Sequence, residues 1–171
     1  MRALAKEIIT AAAVAAGMGA ANIMDKPAQQ SALLPLPRLE IEMMPQEIKR
    51  QPRRFARLPG DAPATHVTHR WRTHTMSLQV RVEIRADNEG WLEQFFKDFI
   101  TGLPGKTVDA AGNLVTVAPY RAERGGFESK LVKVFTRRSI PVWITFKGGI
   151  YRDEQVPLIT DVNLLNGVST R

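Results

Sequence analysis

Three histidines lie close together in the segment "HVTHRWRTH", and three imidazoles are the ligands of some catalytic zinc sites. His66 and His69 are three residues apart in a stretch that we expect to be extended, so their side chains should point to opposite faces. Arg70 and Arg72 separate them from His74 and would repel a metal cation. The pattern therefore favours polar residues on a strand edge, and we predict no metal site.

Other combinations of reactive residue types lack the neighbours that catalysis needs. Serine, histidine and aspartate all occur, but no nucleophile elbow does, and "GGFES" lacks the lysine of a phosphate loop. Asp153 and Glu154 have no apolar neighbours in sequence that would raise the pKa of a carboxyl group. The absence of cysteine excludes disulfides, a thiolate nucleophile and any Cys-containing zinc site. We therefore predict a protein that is not an enzyme, with no catalytic residues and no cofactor.

The strongest chemical feature is a run of cations, "KRQPRRFAR", which places five positive charges at residues 49–57. Residues 47–72 carry a net charge of +5, which is most of the chain's +7. A local excess of this kind favours association with an anionic partner. The predicted partner-contact residues are Lys49, Arg50, Arg53, Arg54, Arg57, Arg70 and Arg72.

The nature of that partner stays open at this level. A nucleic-acid element would combine these cations with stacking aromatics, of which Phe55 and Trp71 are the only nearby examples. A membrane element would need an amphipathic helix, which the prolines of the segment exclude. A protein-interface arm needs only exposure and arginine, and a solvated loop needs no partner.

Prolines dominate the segment that carries these cations. Pro45, Pro52, Pro59 and Pro63 argue against a continuous helix or a central strand. We therefore predict a Pro-rich basic loop or arm over residues 45–72, within a single domain that spans residues 1–171.

Regular elements are predicted on both sides of this segment. "RLEIEMM" and "MSLQVRVEIR" alternate apolar and polar residues, as strands with one wet face do. In "GWLEQFFKDFITGL" the aromatic residues recur at helical spacing, so we predict a helix that is capped by Asp87 or Asn88 and packed against the sheet. Residues 2–16 predict a further helix that ends near Gly17 or Gly19. A short secretory signal is the alternative for that segment.

Strands dominate the second half. "KTVDAAGNLVTVAPY" predicts a hairpin with its turn at 109–113, and "KLVKVF", "PVWITF" and "VPLITDVNLL" predict three more strands, with a break at Gly148 and Gly149. The fold class is therefore α+β: a mostly antiparallel sheet with an N-terminal helix and one amphipathic helix packed on one face, plus a long basic loop.

The order of these elements resembles the tail-terminator and neck (head-tail joining) proteins of tailed bacteriophages. The resemblance is carried by residues 2–16, 38–44 and 106–165, by "HTMSLQVRVEIRADNEGWLEQFFKDFI", in which a strand runs into a helix through "ADNEG", and by the hairpin "TVDAAGNLVTV". It covers most of the chain as a pattern, without a signature motif.

The resemblance implies a structural virion protein, assembled in the host cytoplasm and located at the tail-neck region. Such a protein forms a homo-oligomeric ring, usually a hexamer, that caps the tail tube. Its other partners would be sheath proteins, the head-side neck or connector protein, and genomic DNA that passes through the lumen without sequence specificity. No membrane partner is implied. The alternatives are a basic nucleic-acid-binding protein without catalytic activity and an exported protein.

Overall fold

A computed structural model describes residues 1–26, 35–58, 66–122, 125–126 and 138–158 of the chain. The chain divides into two compact units. Unit 1 comprises Met1–Lys49 with Thr75–Gly149, and unit 2 comprises Arg50–His74 with Ile150–Arg171. The prediction of one domain over residues 1–171 stays a prediction.

The described residues form two α-helices, one short 3-10 helix and a seven-stranded sheet. The helices are α1 (Arg2–Ala15), the 3-10 turn Ala20–Asn22 and α2 (Glu89–Gly102). The strands are β1 (Ile23–Asp25), β2 (Arg38–Leu58), β3 (His66–Ala86), β4 (Lys106–Val108), β5 (Leu114–Ala122), β6 (Gly125–Gly126) and β7 (Arg138–Pro157).

The strands follow the order β1-β2-β3-β7-β5-β4, and β6 pairs with β7. β1 runs parallel to β2, whereas β4 with β5, β5 with β7 and β6 with β7 are antiparallel. The sheet is therefore mixed, and the predicted α+β class is confirmed.

α1 ends and α2 begins where the predicted capping residues lie. Gly17 follows α1 with a φ of +100°, a left-handed conformation that glycine adopts without a Cβ clash. The amides of Gly17 and Met18 donate to the carbonyls of Val14 and Ala13 and close the last turn. Asn88 caps α2, since its side-chain oxygen accepts from the amide of Trp91 at 3.0 Å.

The aromatic stripe of α2 lies in the core of unit 1, as predicted. Phe95 and Phe99 are buried, and their rings stack with centroids 6.1 Å apart. Both belong to one apolar cluster with residues of α1 and with alternate residues of the strands. Its members on β3 are Leu78, Val80, Val82, Ile84 and Ala86. This alternation confirms the strand predicted from "MSLQVRVEIR".

The sequence predicted a wet polar face for the same strand, and the structure agrees only in part, since Gln79 is exposed but the polar residues further along the strand are not. Glu83 is buried and Arg85 nearly so, and on β2 both Arg38 and Glu40 are buried. Their alternation places them opposite the apolar cluster, but there they form ion pairs instead of meeting solvent. Burial of these charges is tolerated because each has an oppositely charged neighbour.

The ion pairs form one continuous network across β2 and β3. Arg38 Nε lies 2.7 Å from Glu40 Oε1, and Arg85 contacts both Glu40 (3.4 Å) and Glu83 (2.9 Å). Arg81 connects Glu83 to Glu42, and it also lies over the ring of Trp143 on β7. The hydrogen bond from Lys26 is the main cause that lowers the pKa of Glu42.

The prediction of a loop over residues 45–72 is wrong for most of its length, because β2 runs to Leu58 and β3 begins at His66. Residues 59–65, with Pro59 and Pro63, lie outside the described residues. β1 pairs with β2 only at residues 39–41. Within the described chain, the outer edge of β2 is therefore open after residue 41. A proline on this edge does not remove a hydrogen bond to a neighbouring strand, because no described strand pairs with the edge.

The break predicted at Gly148 and Gly149 is also wrong, since β7 continues through both glycines. A Cβ at Gly148 would lie 2.8 Å from the Met1 side chain and 3.4 Å from that of Val115. Gly148 therefore lets the side chains of Met1 and Val115 lie close to the backbone of β7, and it does not end the strand. "PVWITF" lies in β7 as predicted, whereas "KLVKVF" and residues 159–165 of the predicted last strand lie outside the described residues.

The predicted hairpin is confirmed, with its turn at residues 109–113 between β4 and β5. Gly112 has a φ of +75°, and Asp109 Oδ1 accepts from the amides of Ala111 and Asn113. Partial burial alone would raise the pKa of Asp109, but these donors hold it below its ordinary value.

We expect Phe95→Ala to lower the free energy of unfolding by about 3–5 kcal/mol, through lost burial and a residual cavity. Phe96→Ala is the matched control, since Phe96 is only partly buried on the same helix and should cost less. Urea unfolding of both variants measures the difference, and equal losses would show that the stripe is not the core face.

Glu40→Gln should lower the free energy of unfolding by about 3 kcal/mol, because it removes the carboxylate charge that both Arg38 and Arg85 contact in a buried site. Glu42→Gln is the control: the Glu42 side chain is 32% exposed, so its loss should cost about 1 kcal/mol or less. If both variants unfold at the same urea concentration, burial does not determine how much these ion pairs contribute to the free energy of unfolding.

Candidate functional site

The predicted partner-contact residues lie on strands. Arg50, Arg53, Arg54 and Arg57 belong to β2, and Arg70 and Arg72 belong to β3. All six are in unit 2. Lys49 is the exception, since it closes the first segment of unit 1 and pairs with Glu47 at 2.8 Å on an exposed surface.

Unit 2 is strongly basic. Its described residues include seven arginines against only two acidic residues, Asp153 and Glu154, a net charge of +5. The seventh arginine is Arg152 on β7, which the sequence reasoning did not assign to the site. The topology adds it, because β3 and β7 are neighbours in the sheet.

Arg70 is neutralised within the unit. Its Nε and Nη2 donate to the two carboxylate oxygens of Asp153 at 2.8 and 2.7 Å. This bidentate pair lowers the pKa of Asp153 and raises that of Arg70, in both cases chiefly through the hydrogen bonds. Arg70 is therefore a structural link between β3 and β7, and its contact with a partner stays a prediction.

Three other arginines are exposed and unneutralised. Arg50, Arg53 and Arg57 all have exposed side chains on β2. No hydrogen bond or ion pair joins them to another residue of the described chain. Since an exposed arginine keeps its charge at any pH that a protein tolerates, this strand offers three free cations to an anionic partner.

A cleft of about 420 Å³ lies beside one of these arginines, Arg50, in unit 2. Trp71 lines it, and the indole N–H of Trp71 is buried without a hydrogen-bond partner in the described chain. A buried donor of this kind costs free energy unless a partner arrives. The described residues that line the cleft are Arg50, Pro52, Trp71, Arg72, Thr73, His74 and Arg152.

On one wall of the cleft, the donor and acceptor roles of Thr73 and His74 are fixed by their neighbours. The hydroxyl of Thr73 donates to the carbonyl of Ile150 at 3.1 Å, so it can only accept from His74 Nδ1 at 3.0 Å. This places the ring hydrogen of neutral His74 on Nδ1. Among the described residues, no group of three or more His, Asp or Glu side chains is arranged to hold a metal ion.

A second groove, in unit 1, is a weaker candidate because its charges already pair with one another. It has a volume of about 670 Å³ and lies between α1 and β2. There Lys6 contacts Asp25 at 2.8 Å, Lys26 contacts Glu42 at 2.7 Å, and Arg2 donates to the carbonyl of Met44. The basic surface of unit 2 is therefore the better site for an anion.

Comparison with known proteins adds no family: no protein-family model matches the sequence, and no curated protein does. Neither helix of the described chain is long and apolar enough to cross a membrane. The site must therefore be interpreted from its own chemistry.

We expect Asp153 to titrate below its ordinary pKa of about 3.9. Because the folded state lowers this pKa, the Arg70 pair contributes stability above the ordinary value and loses it as the pH falls through the lowered one. Arg70→Gln should return the pKa of Asp153 to its ordinary range, as measured by carboxyl ¹³C NMR. An unchanged titration in that variant would contradict the assigned pair.

Proposed function

We propose that this chain is a structural virion protein without catalytic activity: a tail terminator or neck ring. In this proposal the ring caps the tail tube and joins it to the head connector, and genomic DNA passes through it. The finer fold description belongs to the same proposal: a mostly antiparallel sheet with both helices packed on one face. The order of elements supports it, through the resemblance described above.

The observation that carries the proposal is the state of the two sheet edges in unit 1. The end strands β1 and β4 have three residues each, next to a β2 of 21 residues and a β5 of nine. β1 covers residues 39–41 of β2, and β4 covers residues 114–116 of β5. Beyond these residues, the Val117 amide donates to the Gly105 carbonyl and the Met44 carbonyl accepts from Arg2. Within the described chain, the remainder of both outer edges is open to pairing with another chain.

Both edges also carry exposed apolar side chains. Ile48 on β2 is 53% exposed. On the opposite side, Val108 and Leu114 face each other across the β4–β5 pair and are 58% and 49% exposed. Tyr120, also exposed, sits where the register of β5 against β7 shifts, as in a β-bulge. Apolar residues at an open edge favour contact with a partner subunit.

Two unlike edges favour a ring over a two-fold dimer. A two-fold interface joins the same patch on both subunits, whereas contact between two different patches runs head to tail and closes into a ring when the rotation permits. We therefore propose a cyclic homo-oligomer, a hexamer by the resemblance, in which the β2 edge of one copy meets the β4–β5 edge of the next.

The partners follow from this assembly: the tail tube, sheath proteins, the head-side connector and the DNA within the lumen. The place of action is the tail-neck region of a virion assembled in the host cytoplasm. The basic surface of unit 2 then meets an anionic surface in the particle. A second candidate function, nucleic-acid binding without a ring and without catalysis, is favoured by the free arginines of β2.

Cross-linking tests the ring directly, because the chain contains no cysteine of its own. A variant with both Ile48→Cys and Leu114→Cys should form a ladder of covalent oligomers with a short flexible bis-maleimide, and the ladder should end at a closed species of six. The experiment is performed on concentrated protein and on assembled particles, so that a ring formed only on its template is also detected.

Each single cysteine variant is the control, since one cysteine per chain cannot link more than two copies. A ladder without a closed end would indicate an open filament. A double variant that yields only dimers, in both preparations, would contradict the head-to-tail contact.

A further inference from the structure

The cleft of unit 2 has features that a diffuse basic surface lacks. Arg50, Arg72 and Arg152 come from three different strands, β2, β3 and β7, and converge on one cavity of about 420 Å³. The cavity also contains Trp71, whose indole N–H is buried and unpartnered in the described chain. The cleft thus combines fixed positive charge with an unsatisfied neutral donor, which is the complement of an oxyanion.

Two of the charges of the cleft, those of Arg50 and Arg152, are available to a ligand. Arg50 is exposed and has no partner in the described chain. Arg152 has one acidic neighbour, Glu154, at 3.8 Å, and both side chains are largely exposed, so solvent screens this pair. Asp153 is already bound to Arg70 by two hydrogen bonds and does not compete for the cleft cations.

The surroundings favour a polymer of uniform negative charge. Arg50 lies on one face of β2, and Arg53 and Arg57 lie on the other face, because side chains alternate along a strand. The described part of unit 2 nevertheless carries seven arginines against two acidic residues. A nucleic-acid strand offers only negative charge to such a surface, whereas protein surfaces mix both signs of charge. Arginine is a common partner of phosphate oxygens, whereas tryptophan supplies one N–H donor and a surface for base stacking.

We propose that this cleft binds a backbone phosphate of a nucleic-acid strand, with Arg50 and Arg152 neutralising the charge and the Trp71 indole donating a hydrogen bond. Arg53 and Arg57 do not line the cleft and add only longer-range attraction for the polymer. This inference deepens the proposed function, because it names the anionic partner of unit 2. It rests on that function only for the location of the DNA, which is the lumen of the ring. The binding itself needs no ring.

The test measures the affinity of the full-length chain for short fluorescent DNA oligonucleotides, single- and double-stranded, by anisotropy at several salt concentrations. One variant carries Arg50→Ser and Arg152→Ser, which removes two charges from the cleft. The matched control carries Arg53→Ser and Arg57→Ser, which removes two charges outside it. We expect the cleft variant to lose about tenfold or more in affinity, because charge-assisted hydrogen bonds are lost, and the control to lose several-fold less.

A second readout reports on the cleft itself. The chain has three tryptophans, so a ¹⁵N spectrum contains three indole N–H signals, and Trp71→Phe identifies that of Trp71 by its loss. DNA should shift this signal in the parent and in the control variant, but not in the cleft variant. Thermal unfolding of every variant shows whether the fold is retained.

Any of the following three outcomes would overturn the inference. Equal losses in the two variants, with an unmoved Trp71 signal, would leave only diffuse charge attraction. Saturation of the Trp71 shift by inorganic phosphate, with no tighter binding of an oligonucleotide, would make the cleft a site for a free anion. Binding of a poly-glutamate peptide but not of DNA would identify an acidic protein as the partner. None of these results affects the cross-linked ladder, so the ring stands or falls separately.

Discussion

Unit 1 depends on the apolar cluster that α2 and β3 share. Phe95 and Phe99 share one cluster with Leu78, Val80 and Val82, and each fully buried side chain of this size contributes about 1.5–3 kcal/mol. The cluster does more than stabilise. Because side chains alternate along a strand, a slip of β3 by one residue would expose the whole apolar set, so the helix also fixes the register of the strand.

That register decides the chemistry of the opposite face. Once the apolar residues of β3 point to the core, Arg81, Glu83 and Arg85 must point the other way, toward Glu40 and Glu42 of β2. The sign alternates along β3, where Arg81, Glu83 and Arg85 follow one another on this face, and each carboxylate of the network contacts a guanidinium group. A network of this kind adds little net stability compared with apolar packing, but any break in it leaves an unpaired buried charge. It therefore penalises other strand pairings and specifies the observed one.

Unit 2 is held by different forces. Among its described residues, Val67 is the one buried large apolar side chain, and no helix contributes to it. Its described residues are linked by the bidentate pair of Arg70 with Asp153 and by the hydrogen bonds around Thr73. So small a core contributes little to the free energy of unfolding. The described surface of unit 2 is instead distinguished by its exposed arginines.

The sequence by itself determined the local elements, because these follow from short-range periodicity and capping. The helix after Asn88, the hairpin around Asp109, the core side of β3 and the Gly17 cap were all predicted from neighbours in the chain. The sequence also located the positive charge in residues 49–72, but it misjudged the backbone there, since prolines tolerated on an open strand edge cannot be told from prolines in a loop without knowing the neighbouring strands. Only the tertiary structure paired Arg70 with Asp153, brought Arg152 beside Arg50, and turned a predicted wet face into a buried ion network. Each of these depends on contacts between residues distant in sequence, whose charges show no periodic pattern that would reveal the partner.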